Sequence, residues 1–152
     1  MQDILTCAMG LDVHRDIIVA CLVKGAVDAE PEAETRTFST LIPEMQKLRD
    51  WVIESECRNI AMESTGIYWQ PIYEMLESCF DGEISILVVN ARHMKNVPGR
   101  KTDMKDAQWI ATLLRAGLLK GSFIPDKAFR ELRHLTRYRK SVVHDITAQK
   151  NR

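Results

Sequence analysis

The chain has 152 residues, 45% hydrophobic and 28% charged, which is enough for one domain with a real core and ordinary for a globular protein. No apolar run approaches the ~20 residues of a membrane span and the N-terminus lacks a signal-peptide pattern, so the expectation is a cytoplasmic protein with no membrane partner. The formal net charge of +0 hides a split: residues 1–91 carry six Lys and Arg against sixteen Asp and Glu, a net of −10, and residues 92–152 carry fifteen against five, a net of +10.

Such a division describes an acidic body with a basic arm, suited to a polyanion or to mutual attraction of the two parts. The four cysteines, Cys7, Cys21, Cys57 and Cys79, are widely spaced in apolar contexts with no CxxC pattern. Reduced core thiols follow, and a zinc site does not.

In chain order, residues 4–13 (ILTCAMGLDV) form an apolar run ending near Asp12 and read as a central strand buried on both faces. His14-Arg15-Asp16 turns the chain into a second, antiparallel strand over residues 17–24. Residues 25–34 are polar and acidic and read as a loop, followed by a short third strand over 35–39. Thr40 is positioned to cap a helix running to about residue 56, with Pro43 in its first turn and Leu41, Met45, Leu48 and Val52 as its buried stripe.

The segment NIAME (59–63) is a short strand ending on Glu63. Ser64-Thr65-Gly66 breaks it and opens a helix over 67–79, with Trp69, Ile72, Tyr73 and Leu76 facing inward and Tyr68 assigned to the core as well. A turn at Asp81-Gly82 precedes a buried strand over 83–89. The order β-β-β-α-β-α-β, with parallel pairing across the helices, predicts an α/β fold: a mixed five-stranded sheet with flanking helices, the ribonuclease H-like order.

Residues 90–102 form a basic connector broken at Pro98-Gly99. The helix beyond it places Asp103, Ala107, Ile110 and Leu114 on one stripe, flanked by Asp106, Ala111 and Leu113, with Lys105, Gln108, Thr112 and Arg115 opposite. A second long helix starts near Asp126 and continues through the last residue, Arg152. Leu132, Leu135, Val142 and Ile146 line one of its faces; Arg130, Arg133, Arg137, Lys140 and His144 line another at spacings of 3, 4, 3 and 4.

Four acids therefore lie on or beside apolar elements: Asp12, Glu63, Asp103 and Asp106. Each has a plain structural alternative, as a strand-end acid, a helix-entry residue, an N-cap or a first-turn acid favoured by the helix dipole. Together they form an all-oxygen donor set for one or two Mg²⁺ or Mn²⁺ ions at the edge where open sheets collect ligands. Two such ions activate an attacking oxygen and stabilise the leaving oxygen of a phosphodiester.

The segments GLDVHRD around Asp12, AMESTGIYW around Glu63, VVNARHMKNVPGRKTDMKDAQWIATLLRAGLL around Asp103 and Asp106, and ELRHLTRYRKSVVHDITAQKNR at the end resemble the N-terminal domain of the DEDD transposases of the insertion sequence 110 family, related to the Piv site-specific invertases. The resemblance covers essentially the whole chain. It implies a RuvC-like catalytic domain over residues 1–120, followed over 121–152 by the start of a long basic helix leading to a C-terminal transposase domain. It also implies that Asp12, Glu63, Asp103 and Asp106 are the catalytic, metal-holding carboxylates and that the substrate is DNA, chosen through a structured bridge RNA. The family's serine nucleophile belongs to the C-terminal domain, and no serine here corresponds to it. Ser64 and Ser141 read as a turn residue and a helix-surface residue.

Two basic regions gain roles on this basis. Arg92, His93, Lys95, Arg100 and Lys101 precede the acidic pair and suit a phosphate backbone, or else form a solvated loop. Arg130, Arg133, Arg137 and Lys140 suit DNA or RNA phosphate, while the apolar stripe of the same helix suits a second copy of the chain. Tyr138 lies near the cationic face and reads as packed, with base stacking as the alternative. The rival expectations are a nucleic-acid-binding assembly module without chemistry, a Holliday-junction resolvase and a sugar-kinase-like phosphotransferase. The last would need Gly, Ser or Thr after Asp12 to cradle phosphates, where this chain has His14 and Arg15.

Overall fold

The computed structural model describes residues 3–64, 66–95, 97 and 105–151, with Asp81 and Lys95 described by their backbone alone. The chain forms two units, Met1–Ser122 and Phe123–Arg152. Among the described residues no helix is long and apolar enough to cross a membrane.

The first unit is a five-stranded mixed sheet in the order β3-β2-β1-β4-β5. Its strands are β1 (Cys7–Val13), β2 (Ile17–Lys24), β3 (Glu32–Ser39), β4 (Asn59–Glu63) and β5 (Ser85–Val89). β1 pairs antiparallel with β2 and parallel with β4, and β5 joins β4 in parallel. The apolar run of β1 is buried on both faces because helices cover each: Ala8, Met9, Leu11 and Val13 have 0–1% exposure. The predicted strand order and the RNase H-like sheet are both present.

The helices are α1 (Ile42–Glu54), α2 (Trp69–Glu77), α3 (Ala91–Lys95) and α4 (Asp106–Arg115). Sheet register separates the two faces. Asp12 pairs across with Val19 and Gly10 with Cys21, and Cys21, Val23, Ala107 and Ala111 form one cluster with Val19 against it, so α4 covers that face. Val13 pairs with Ile18 and Ile18 with Phe38, whose ring lies 6.1 Å from that of Trp51 in α1. α1 therefore covers the opposite face, with α2 packed beside it.

Several boundaries differ from expectation for identifiable reasons. β3 begins at Glu32 rather than 35, because pairing with β2 carries an acidic edge strand that composition reads as loop; charge on an edge strand is a common guard against further pairing. Thr40 does not cap α1. Leu41 is the N-cap, while the Thr40 hydroxyl donates to the Arg15 carbonyl at 2.9 Å and ties the β1–β2 turn to the end of β3. Leu41 is 69% exposed, and the buried residues of α1 are Leu48, Trp51 and Val52.

α2 starts at Trp69, Tyr68 is exposed, and Trp69 and Tyr73 are half-buried in an edge-to-face pair at 5.7 Å. Part of the expected irregular connector is helical, as α3. Arg115, assigned to the solvent side of its helix, is instead 1% exposed. It ion-pairs with Asp3 and donates to the carbonyls of Leu5, Gly25 and Ala26. α4 ends beneath the N-terminal segment, so the helical pattern there cannot distinguish solvent from covering backbone.

The second unit is dominated by α5 (Lys127–Lys150), capped by Asp126, whose side chain accepts from the Phe129 N–H at 3.0 Å. A carboxylate at this position satisfies a free N–H and opposes the positive helix end.

Candidate metal centre and nucleic-acid interface

Parallel pairing aligns Met9 with Ile60, Gly10 with Ala61 and Leu11 with Met62. Asp12 and Glu63 are each the next residue in that register, at the carboxyl ends of adjacent strands, with backbones about 4.8 Å apart by strand spacing. Side chains alternate along a strand, so Asp12 shares a face with Ala8 and Gly10, and Glu63 with Ala61. Ala8 and Ala61 belong to one cluster with Ile110 and Leu114, so both acids lie on the face that α4 covers.

α4 is drawn onto the sheet at Gly10. A Cβ there would overlap the carbonyl oxygen of Ala107 and come within 2.5 Å of the Ala111 nitrogen, so only glycine permits this approach. The other end of α4 is fixed by Ile4 and Leu5, whose N–H groups donate to the Arg115 carbonyl at 2.8 and 3.1 Å. The helix therefore runs antiparallel to β1 and brings its first turn, opened by Asp106, to the end that carries Asp12. Asp106 is exposed at that turn, with Lys105 as the N-cap.

The Asp12 side chain is recessed, 16% exposed, and accepts a hydrogen bond at 3.0 Å from Nε2 of His14 in the tautomer that carries a proton there. His14 is held by its own N–H, which donates to the Ile17 carbonyl and closes the hairpin. Glu63 is half-buried, and the following residue, Ser64, donates its N–H to the Val89 carbonyl, which fixes the strand end against β5. Among the described residues, no three His, Cys, Asp or Glu side chains are grouped closely enough to hold a metal ion. Asp103, expected as the fourth ligand, lies outside the described residues, as do Arg100 and Lys101.

Arg92 is exposed on α3, its N–H bound to Asn90 Oδ1 at 2.9 Å, and Lys95 closes the same helix. On α5, Arg133, Arg137, Lys140 and His144 are exposed. Arg130 departs from that face: it is 8% exposed, and its guanidinium donates to the Pro125 carbonyl at 2.8 Å, bracing the entry to the helix. Tyr138, expected to be packed, is 71% exposed within this unit.

The DEDD transposase family of insertion sequence 110 matches the chain over residues 9–152. None of the curated proteins compared with the chain matches it. Among solved structures, Thermus thermophilus RuvC is similar with a TM-score of 0.53 at 12% identity, over 76% of this chain and 99% of that one. T. thermophilus RuvC in complex with a Holliday junction substrate is similar with a TM-score of 0.50, also at 12% identity, over 78% and 100%. These likenesses establish a RuvC-like fold. With the family match spanning nearly the whole sequence, the chain belongs to the DEDD transposases of the insertion sequence 110 family.

Proposed function

We propose that this chain is the metal-dependent catalytic domain of a DNA recombinase, cutting and transferring strands as an insertion sequence moves, with Asp12, Glu63, Asp103 and Asp106 as its metal ligands. The supporting observation is that Asp12 and Glu63 end adjacent parallel strands on one face, beneath the helix that Asp106 opens. All-oxygen donors suit Mg²⁺ or Mn²⁺ better than zinc. Bound there, such ions would supply Lewis acidity and a more nucleophilic oxygen for phosphodiester chemistry.

The chain's own residues have separable tasks. Asp12 and Glu63 would form the rigid half of the ligand set, because strands hold them. Asp106 would add a carboxylate that depends on the first turn of α4, and Asp103, three residues earlier in the sequence, would complete the set. His14 holds the Asp12 side chain in place through their hydrogen bond. Arg92, Lys95, Arg100 and Lys101 would bind the strand next to the cut, and Arg133, Arg137 and Lys140 a more distant stretch of DNA or a structured guide RNA. The exposed Leu132, Leu135, Val142 and Ile146 of α5 suit self-association. Complete recombination would also call on a C-terminal domain supplying a serine nucleophile.

The test is thermal melting of the chain with and without Mg²⁺ or Mn²⁺. The metal is expected to raise the melting temperature, and Asp12→Asn with Asp106→Asn to remove that shift. Salt-sensitive DNA binding that ignores both metal and these substitutions would instead identify a binding and assembly module. Cleavage of four-way junctions by this chain alone would identify a resolvase.

A further inference from the structure

At the same end of the sheet as the carboxylates, on the face that α1 and α2 cover, lies a cavity of about 260 Å³. Its walls include Arg15, Met45, Ile67, Tyr68, Pro71 and Ile72. Arg15 lies three residues after Asp12, and Ile67 and Tyr68 follow four and five residues after Glu63. The Thr40 hydroxyl and N–H bind the carbonyls of Arg15 and Asp16, so the β1–β2 turn, the start of α1 and the entry to α2 are drawn around one opening.

The chemistry of this opening is specific. Ile67 is 70% exposed at its wall, a large aliphatic that solvent would not favour. Tyr68, 40% exposed, adds an aromatic face. Arg15 lines the cavity with its side chain 78% exposed, 3.7 Å from the Asp16 carboxylate. The volume is below the roughly 300–1,000 Å³ of pockets that take drug-sized molecules. An apolar cavity of this size with one aromatic wall and a cation among its lining residues has the chemistry to take a nucleobase and its adjoining phosphate.

We infer that this cavity receives one unstacked base of the DNA strand beside the cut, with Tyr68 and Ile67 against the ring and Arg15 on the neighbouring phosphate. The inference rests on the recombinase reading. It adds what that reading lacks: a hold on a single strand that passes over this end of the sheet from the carboxylates, since a base out of the helix fixes its own backbone. A duplex with every base stacked cannot use the slot, so the cavity favours opened or branched DNA.

The experiment uses the full chain and a twelve-nucleotide single strand of thymidines carrying one 2-aminopurine, compared with the same strand in a blunt duplex. Binding of the single strand is expected to change 2-aminopurine fluorescence, and duplex binding is not. Tyr68→Ala and Ile67→Ala should abolish the change and weaken single-strand binding roughly 5- to 100-fold while leaving duplex binding intact. Tyr68→Phe should retain it. Arg15→Gln should lower the slope of affinity against salt by about one phosphate contact.

An unchanged signal in Tyr68→Ala, or equal losses on single strand and duplex, overturns the cavity alone if metal still raises the melting temperature of the wild-type chain. Absence of any DNA binding by the wild-type chain overturns the recombinase reading and the cavity with it. Asp12→Asn separates the two further: it should cancel the metal effect and keep the fluorescence change.

Discussion

At the scale of single residues, the buried charges and thiols decide most. Arg115 is enclosed with one acid and three carbonyls as partners, so removing it leaves an uncompensated Asp3 and unsatisfied backbone. Arg115→Ala should cost about 2–5 kcal/mol, read as a lower urea midpoint with an unchanged slope. Cys7 and Cys57 stand together on neighbouring segments. The hydrogen bond from Cys57 is the main cause that lowers Cys7 to about 7, aided by Lys24 and Arg115 against the effect of burial, whereas Cys57 is pushed up by the same bond and by burial. A lowered thiol pKa means thiolate accumulates as pH rises through about 7. Cys7 should therefore be the first of the four cysteines alkylated by iodoacetamide at pH 8. Cys57→Ala should move the midpoint of its rate–pH profile upward. Equal labelling of all four by mass spectrometry would contradict this.

At the scale of elements, the contact of α4 with β1 governs the site. Gly10→Ala places a methyl group against the backbone of Ala107 and Ala111, which cannot yield as a flexible side chain would. The expected result is a loss of about 1–3 kcal/mol and a displaced first turn of α4. On the proposed reading, metal-dependent stabilisation should fall more than that loss explains, because the turn that Asp106 opens would shift away from the strand end that carries Asp12. The sequence makes the strands legible: alternation and apolar runs place β1, β2, β4 and β5, and the acids that end two of them follow at once. It does not make Gly10 legible as a packing surface, since a glycine in a strand shows nothing of what crosses it. Nor could it reveal β3 from Glu32, where backbone pairing outweighs composition, or Arg115, whose helical face is covered by chain distant in sequence. The cavity around Arg15 and Tyr68 escaped for the same reason: three separate segments build it, and each alone looks like an ordinary turn or helix entry.

At the scale of the whole molecule, the charge split sets how a polyanion is met. The Phe123–Arg152 unit carries eight Lys and Arg against three Asp and Glu, while β3 and its flanks hold acids that repel phosphate. Nucleic-acid binding should thus be dominated by the exposed row on α5, with Arg130 spent on the helix entry. Changing Arg133, Arg137 and Lys140 together to Gln should lower the slope of log affinity against log salt by about 2 to 3, one unit of roughly 0.9 for each lost phosphate contact. Arg130→Gln should leave the slope nearly unchanged and lower the stability of the helix entry instead. The two effects separate because counterion release counts only cations that reach phosphate, whereas a guanidinium bound to the Pro125 carbonyl is already committed. A salt titration of DNA binding, run beside thermal melting of both variants, decides it. A slope that falls with Arg130→Gln and not with the triple change would move the interface from the outer row of α5 to the helix entry.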